Sequence, residues 1–184
     1  MEPKSLSASS SAVFELCPAR FKAENLNRSP DIDNDAASLG TACHEVCELW
    51  VADGHYLLNL AQSDIERIIG ELYEAAYWKV MADRERYDEG LALCMKWVER
   101  QDWTGRTVLT TEVKKYFEVP TSIGPIPFNY IMDRMDRMDD GDIEVVDYKT
   151  VMAPVQPDDL KKRIQPRAYA LAAQIEHPDA QASG

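Results

Sequence analysis

Through the first hundred residues the apolar positions recur at helical spacing, and from Gly105 onward β-branched residues gather into strand-like runs. Ser9–Leu26 reads as a helix with Val13, Leu16, Cys17 and Phe21 as its apolar stripe, opened by serines suited to an N-cap. Pro18 lies inside it and predicts a kink or two shorter helices. Asn27–Asp35 is polar and contains Ser29-Pro30-Asp31, so it reads as a loop. Ser38–Asp53 is a second helix, with Leu39, Ala42, Cys43, Val46, Leu49 and Trp50 inward and Gly54 closing it. Ser63–Met81 starts on a capping box, Ser63 with Glu66, and carries Ile65, Ile68, Ile69, Leu72, Ala76 and Val80 as its stripe. Tyr87–Trp103 is a further helix, with Leu91, Cys94, Met95 and Val98 inside.

Thr107–Pro120, Ile126–Met138 and Asp142–Val151 read as three strands, the last two joined by the turn signal Asp139-Asp140-Gly141. After a loop marked by Pro154 and Pro157, Asp158–Ile175 reads as the final helix. Its inward side is expected to hold Leu160, Ile164, Ala168, Leu171, Ala172 and Ile175, with Pro166 out of place. Helices, then a strand meander, then a helix predict an α+β fold: a small, mostly antiparallel mixed sheet flanked by helices. No strand is read after the last helix. The length, 184 residues, suits a single domain, mainly helical over 1–104 and strand-rich over 105–184.

Composition narrows the class. Hydrophobic residues make up 45% and charged residues 28%, as in ordinary globular chains. No apolar run is long enough for a membrane span, and Met1–Ser11 lacks the pattern of a secretory signal, so a cytoplasmic setting is expected. The formal net charge is −12. Residues 1–100 carry 10 basic and 18 acidic side chains, and residues 101–184 carry 10 and 14. That excludes a broad basic platform for coating nucleic acid. A local basic run, Lys161-Lys162-Arg163 with Arg167, suits either a solvated face or phosphate contacts. Of the four cysteines, Cys43 and Cys47 flank His44 at helical spacing. Without a fourth ligand in sight they read as buried, small apolar residues rather than a zinc site.

The chemistry gathers around Asp147-Tyr148-Lys149. On a strand, Asp147 and Lys149 share a face. Such a pair is either a surface ion pair or a metal ligand beside an amine. Hairpin geometry bears on the choice. If Asp139-Asp140-Gly141 is a three-residue loop with Gly141 left-handed, Met138 pairs with Asp142 and Asp133 falls opposite Asp147. Two carboxylates so placed repel unless a cation lies between them. A two-residue loop would turn Asp133 to the other face. Two carboxylates and a lysine on one face suit metal-assisted phosphodiester hydrolysis, with Mg²⁺ or Mn²⁺ as the hard cation.

Ile131–Arg137, a short acidic turn and Val145-Val146-Asp147-Tyr148-Lys149-Thr150 resemble the core of RecB-type nucleases of the PD-(D/E)XK superfamily. Gln165-x3-Tyr169-Ala170 resembles that family's Q-x3-Y motif, and Gly40-Thr41-x2-His44-Glu45 its upstream histidine motif. Ser7-x-Ser9 followed by Cys17-Pro18-x2-Phe21 looks like its N-terminal signature. The resemblance implies a restriction-endonuclease-like core. It also implies that His44, Asp133 and Asp147 hold the metal, with the Tyr148 carbonyl as a further ligand. Lys149 would then be the catalytic lysine, and Gln165 and Tyr169 would position the scissile strand. Asp133 is preferred to Asp136, which the register turns away, and Arg134 and Arg137 are assigned to packing or ion pairs near Glu144. Glu112, on the preceding strand, is an accessory carboxylate candidate that is left aside, because a charged residue at a strand start is usually only solvated. Relatives with an iron–sulfur cluster use the Cys of the Cys-Pro motif and three C-terminal cysteines; no cysteine follows Cys94, so no cluster is expected and Cys17 is expected to be buried. The function implied is a metal-dependent DNA exonuclease of recombination, repair or phage DNA metabolism, with DNA and a helicase, recombinase or single-strand-binding protein as partners. A non-catalytic DNA-binding or assembly protein on the same fold is the alternative.

Overall fold

A computed structural model describes residues 6–26, 35–150 and 163–183. The chain forms two compact units. One takes in residues 1–32, 107–147 and 153–184, and the other 33–106 and 148–152.

The first unit is built on a five-stranded mixed sheet. Its elements are β1 (Leu6–Ser7), α1 (Ala8–Leu16), α2 (Pro18–Phe21), a π-helical turn Lys22–Leu26, β2 (Arg106–Val119), β3 (Ile126–Met138), β4 (Ile143–Val146), α6 (Ile164–Glu176) and β5 (Ala182–Ser183). Strand β3 is the hub: β4 pairs with it antiparallel, β1 pairs with it in parallel, and β2 also pairs with it. Ser7 ends β1 and caps α1, its hydroxyl accepting from Ser10 N while Ser10 Oγ accepts from Ser7 N. Pro18 breaks the first helical stretch in two, as its position predicts. Leu16 is 78% exposed and Cys17 is half-buried, so the inward stripe expected there is not formed. The break at Pro18 resets the helical phase, and Phe21 alone of that stripe is buried.

The β3–β4 turn is the three-residue loop. Gly141 has φ 92°, its N–H donates to Met138 O at 2.9 Å, and Met138 N donates to Asp142 O at 2.8 Å. The register follows: Arg137 opposite Ile143, Met135 opposite Val145 and Arg134 opposite Val146. β4 is shorter than its β-branched sequence suggests and stops at Val146, so Asp147 and Lys149 are not strand residues. The last helix starts at Ile164, after Arg163; the expected start at Asp158 and Leu160 lies outside the described residues. Pro166 thereby falls in the first turn, where no helical N–H is lost. The buried side of α6 is Tyr169, Ala172 and Ala173, whereas Leu171 and Ile175 are about half exposed. Alanines let α6 lie close over Ile143 and Val145 in the core, which also holds Phe128, Tyr130, Met132 and Met135. After α6 the chain adds β5, parallel to β4, a strand too short for periodicity to signal.

The second unit packs α3 (Asp35–Ala52), α4 (Gln62–Val80) and α5 (Tyr87–Arg100), with a short 3₁₀ turn at His55–Leu57. Gly54 (φ 72°) ends α3 as predicted. The capping box expected at Ser63 is absent. The helix begins one residue earlier with Ala61 at the cap, so Ser63 lies inside the first turn. Tyr73 and Tyr77, polar-tipped residues outside the expected stripe, are fully buried with Ile69 and Ala76, while Val80 is exposed at the helix end. Leu39, Ala42, Cys43, Val46 and Trp50 are inward on α3 as expected, joined by Cys47 and Val51. No described helix is long and apolar enough to cross a membrane.

Candidate active site

In the sheet-bearing unit three carboxylates converge. Asp133 is buried on β3, at 6% exposure. One carboxylate oxygen of Glu112, on β2, lies within 4.8 Å of one of Asp133. Phe117 on β2 packs on Phe128 of β3 with ring centroids 5.4 Å apart; five residues back along β2 and five forward along β3 from that contact stand Glu112 and Asp133. Asp147 directly follows the end of β4, one step beyond the Arg134–Val146 pair, on the side of the ladder leading to Asp133.

The backbone marks the same place. Glu112 has φ 46°, the one non-glycine residue with positive φ among those described, and it sits in the interior of a 14-residue strand. A left-handed residue there costs about 1 kcal/mol or more and breaks the alternation of the strand. Strain of this kind gathers at functional sites. The sequence carried a signal: Glu112 is the single charged residue in the run Thr107–Val113.

Helix α6 supplies the neighbours. Gln165 Nε2 donates to Asp147 Oδ1 at 3.2 Å and to Tyr169 OH at 2.8 Å, so both amide hydrogens are engaged. Tyr169 is buried. Burial pushes its hydroxyl up to about 12, and the charges of Asp147, Asp133 and Glu112 push the same way against the Gln165 hydrogen bond. All three carboxylates therefore act on one phenol. That phenol stays protonated at neutral pH, so its oxygen accepts from Gln165 while its own hydrogen is left to donate.

Asp136 takes no part in this group. It is fully buried and pairs with Arg134 Nε at 3.0 Å, both on the strand face alternate to Asp133.

The helical unit holds the other residues of the resemblance. His44 is half-buried on α3, its ring edge-on to Tyr148 with centroids 5.9 Å apart. Tyr148 is buried and also meets Trp97 at 5.2 Å. His44, Tyr148, Lys149 and Thr150 line one small cavity with Cys43, Cys47, Leu93, Cys94 and Trp97. Lys149 is the exposed member. Gly40, four residues before His44, has a physical reason: a Cβ there would stand 3.0 Å from Thr150 Oγ1. A larger residue would push Thr150 and its neighbour Lys149 away from α3.

A family model described as PD-(D/E)XK nuclease superfamily matches residues 5–183. The chain belongs to the PD-(D/E)XK nuclease superfamily. These nucleases use divalent metal ions, and the donors here fit one: hard carboxylate oxygens of Glu112 and Asp133 within 4.8 Å of each other. No curated protein matches the chain.

Proposed function

We propose that this nuclease-superfamily chain is a DNA exonuclease dependent on Mg²⁺ or Mn²⁺, of the RecB type. Asp133, Asp147 and Glu112, with His44 and the carbonyl oxygen of Tyr148, would hold the ion. When bound it would polarise a phosphoryl oxygen and acidify a water. Lys149 would hold the attacking water in line or meet the charge that develops on the phosphate. Gln165 orients the Asp147 carboxylate through one oxygen and ties it to Tyr169. Tyr169, kept protonated, would donate to a phosphate oxygen of the scissile strand.

The observation that carries the reading is the close approach of Glu112 and Asp133, with Asp147 tied to Tyr169 through Gln165. Carboxylates repel one another at such distances, and a fold keeps them together for a cation. Exonuclease action, DNA rather than RNA, a role in recombination, repair or phage DNA metabolism and a helicase, recombinase or single-strand-binding partner rest on the motif resemblance, and a cytoplasmic location on the lack of a signal-like start in the sequence. The test uses end-labelled linear and closed circular DNA with Mn²⁺, Mg²⁺ or EDTA. Metal-dependent loss of linear but not circular DNA is expected. Equal attack on circles would make the protein an endonuclease, and no cleavage of any substrate would remove the catalytic reading.

A further inference from the structure

Aromatic rings of the helical unit form a continuous run that ends at His44. Tyr56 packs on Trp103 with ring centroids 4.6 Å apart, Trp103 meets Trp97 at 6.3 Å, and Trp97 meets Tyr148 at 5.2 Å. Tyr148 in turn meets His44 at 5.9 Å. Tyr148 is buried, but Tyr56, Trp97 and Trp103 are only half-buried, so most of the run reaches solvent. Its inner part stands beside Lys149, since Trp97 and Lys149 line the same cavity.

Unpaired cations flank the run. Lys96 and Arg100 of α5 are exposed and make no ion pair or side-chain hydrogen bond with any described residue. Helical spacing puts Arg100 beside Trp97 (i, i+3) and Lys96 beside Arg100 (i, i+4), whereas Glu99 falls on the opposite flank. Elsewhere in the unit Arg67, Arg84 and Arg86 are held by Glu71, Glu74 and Glu89 at 3.2, 3.3 and 2.8 Å. Asp102, the acid beside Trp103, is engaged by Thr104 N at 2.9 Å.

We propose that Tyr56, Trp103 and Trp97 are a stacking platform for an unpaired DNA strand, with Lys96 and Arg100 on its phosphates. The platform leads the strand to Lys149, whose role at the phosphate rests on the nuclease reading. Every base has a flat face, so aromatic rings hold unpaired bases of any sequence, and the flanking cations follow the backbone. Bases in a duplex are already stacked and paired, so a duplex gains nothing from the rings. The net charge of −12 repels DNA elsewhere and confines it to this strip.

The test reads binding in EDTA, where cleavage does not enter, by anisotropy of labelled oligonucleotides on the full-length protein. A short oligothymidine strand should bind about tenfold more tightly than an abasic strand of equal length, and more tightly than a blunt duplex. Trp97→Leu, which keeps apolar bulk, should weaken the oligothymidine strand about tenfold and leave the abasic strand unchanged. Lys96→Ala with Arg100→Ala should weaken both strands alike. It should also reduce the salt slope by about 1.4, at about 0.7 for each phosphate contact. Equal binding of the two strands by the wild type would overturn the proposal. So would wild-type binding by folded Trp97→Leu, or a duplex bound as tightly as the single strand. Binding as expected without cleavage in Mn²⁺ would support the platform and refute the nuclease reading alone.

Discussion

Glu112 spends backbone strain to bring a third carboxylate to Asp133. Asparagine tolerates a left-handed backbone better and carries no charge. Glu112→Asn should therefore raise the melting temperature in EDTA by a degree or more while lowering Mn²⁺-supported cleavage at least tenfold. Lower stability with full cleavage would make the strain incidental. Glu176 gives a pH signature. Burial raises its carboxyl, but hydrogen bonds from Lys115 and Tyr130, with the charge of Lys115, outweigh burial and hold it below its ordinary 4.5. A depressed carboxyl contributes stability that is present above the unfolded value and is lost as pH falls through the folded one. Wild-type protein should lose about 1 kcal/mol more than Glu176→Gln between about pH 5 and pH 3, followed by thermal melting. Equal losses would show that the Lys115–Tyr130 cradle contributes nothing.

Two glycines test how the helical elements pack. Gly70, within α4, has nothing within 4 Å of an added Cβ. Gly70→Ala should stabilise by about 0.5–1 kcal/mol, a rise of about 2–3 °C. Gly90 begins α5 against Tyr73, whose hydroxyl would stand 2.0 Å from a Cβ, with Leu39 Cδ1 at 2.6 Å. Gly90→Ala should cost about 1–3 kcal/mol despite the better helix propensity. The same sign for both would refute the packing described here. Element by element, the sequence was legible wherever one local rule decided the outcome. The break at Pro18, the stop at Gly54 and the Asp139-Asp140-Gly141 loop with its register all follow from a proline, a glycine or a turn. Periodicity failed where packing chose the buried face. Tyr73 and Tyr77 replaced expected aliphatics on α4, and Tyr169 and Ala173 joined the expected Ala172 in place of Leu171 and Ile175 on α6. It also failed at β5, whose two residues leave no period to read. At the candidate site, the motifs named Asp133, Asp147, Gln165 and Tyr169, of which Gln165 bonds both Asp147 and Tyr169. Glu112 is visible as a lone charge in an uncharged run but reads as solvated, because alternation treats a strand as regular and does not display its positive φ.

For the whole molecule, the net charge of −12 and the clustered carboxylates make cations the natural stabilisers. An ion that binds the folded state alone raises stability with its concentration. Millimolar Mn²⁺ should raise the melting temperature of the wild type and leave that of Asp133→Asn unchanged. Asp136 provides the contrast. Cutting its buried pair with Arg134 through Asp136→Ala should cost about 3–5 kcal/mol without removing the ion-dependent shift, because this carboxylate supports the fold and not the ion. The central claim is that the carboxylates around Tyr169 form a metal-dependent phosphodiesterase centre. Its most direct test is the degradation of end-labelled linear DNA in Mn²⁺ by the wild type beside Asp147→Ala, with folding of both checked by melting. Degradation by the wild type, stopped by EDTA and by the substitution, is the predicted result. Undiminished degradation by folded Asp147→Ala would contradict the account.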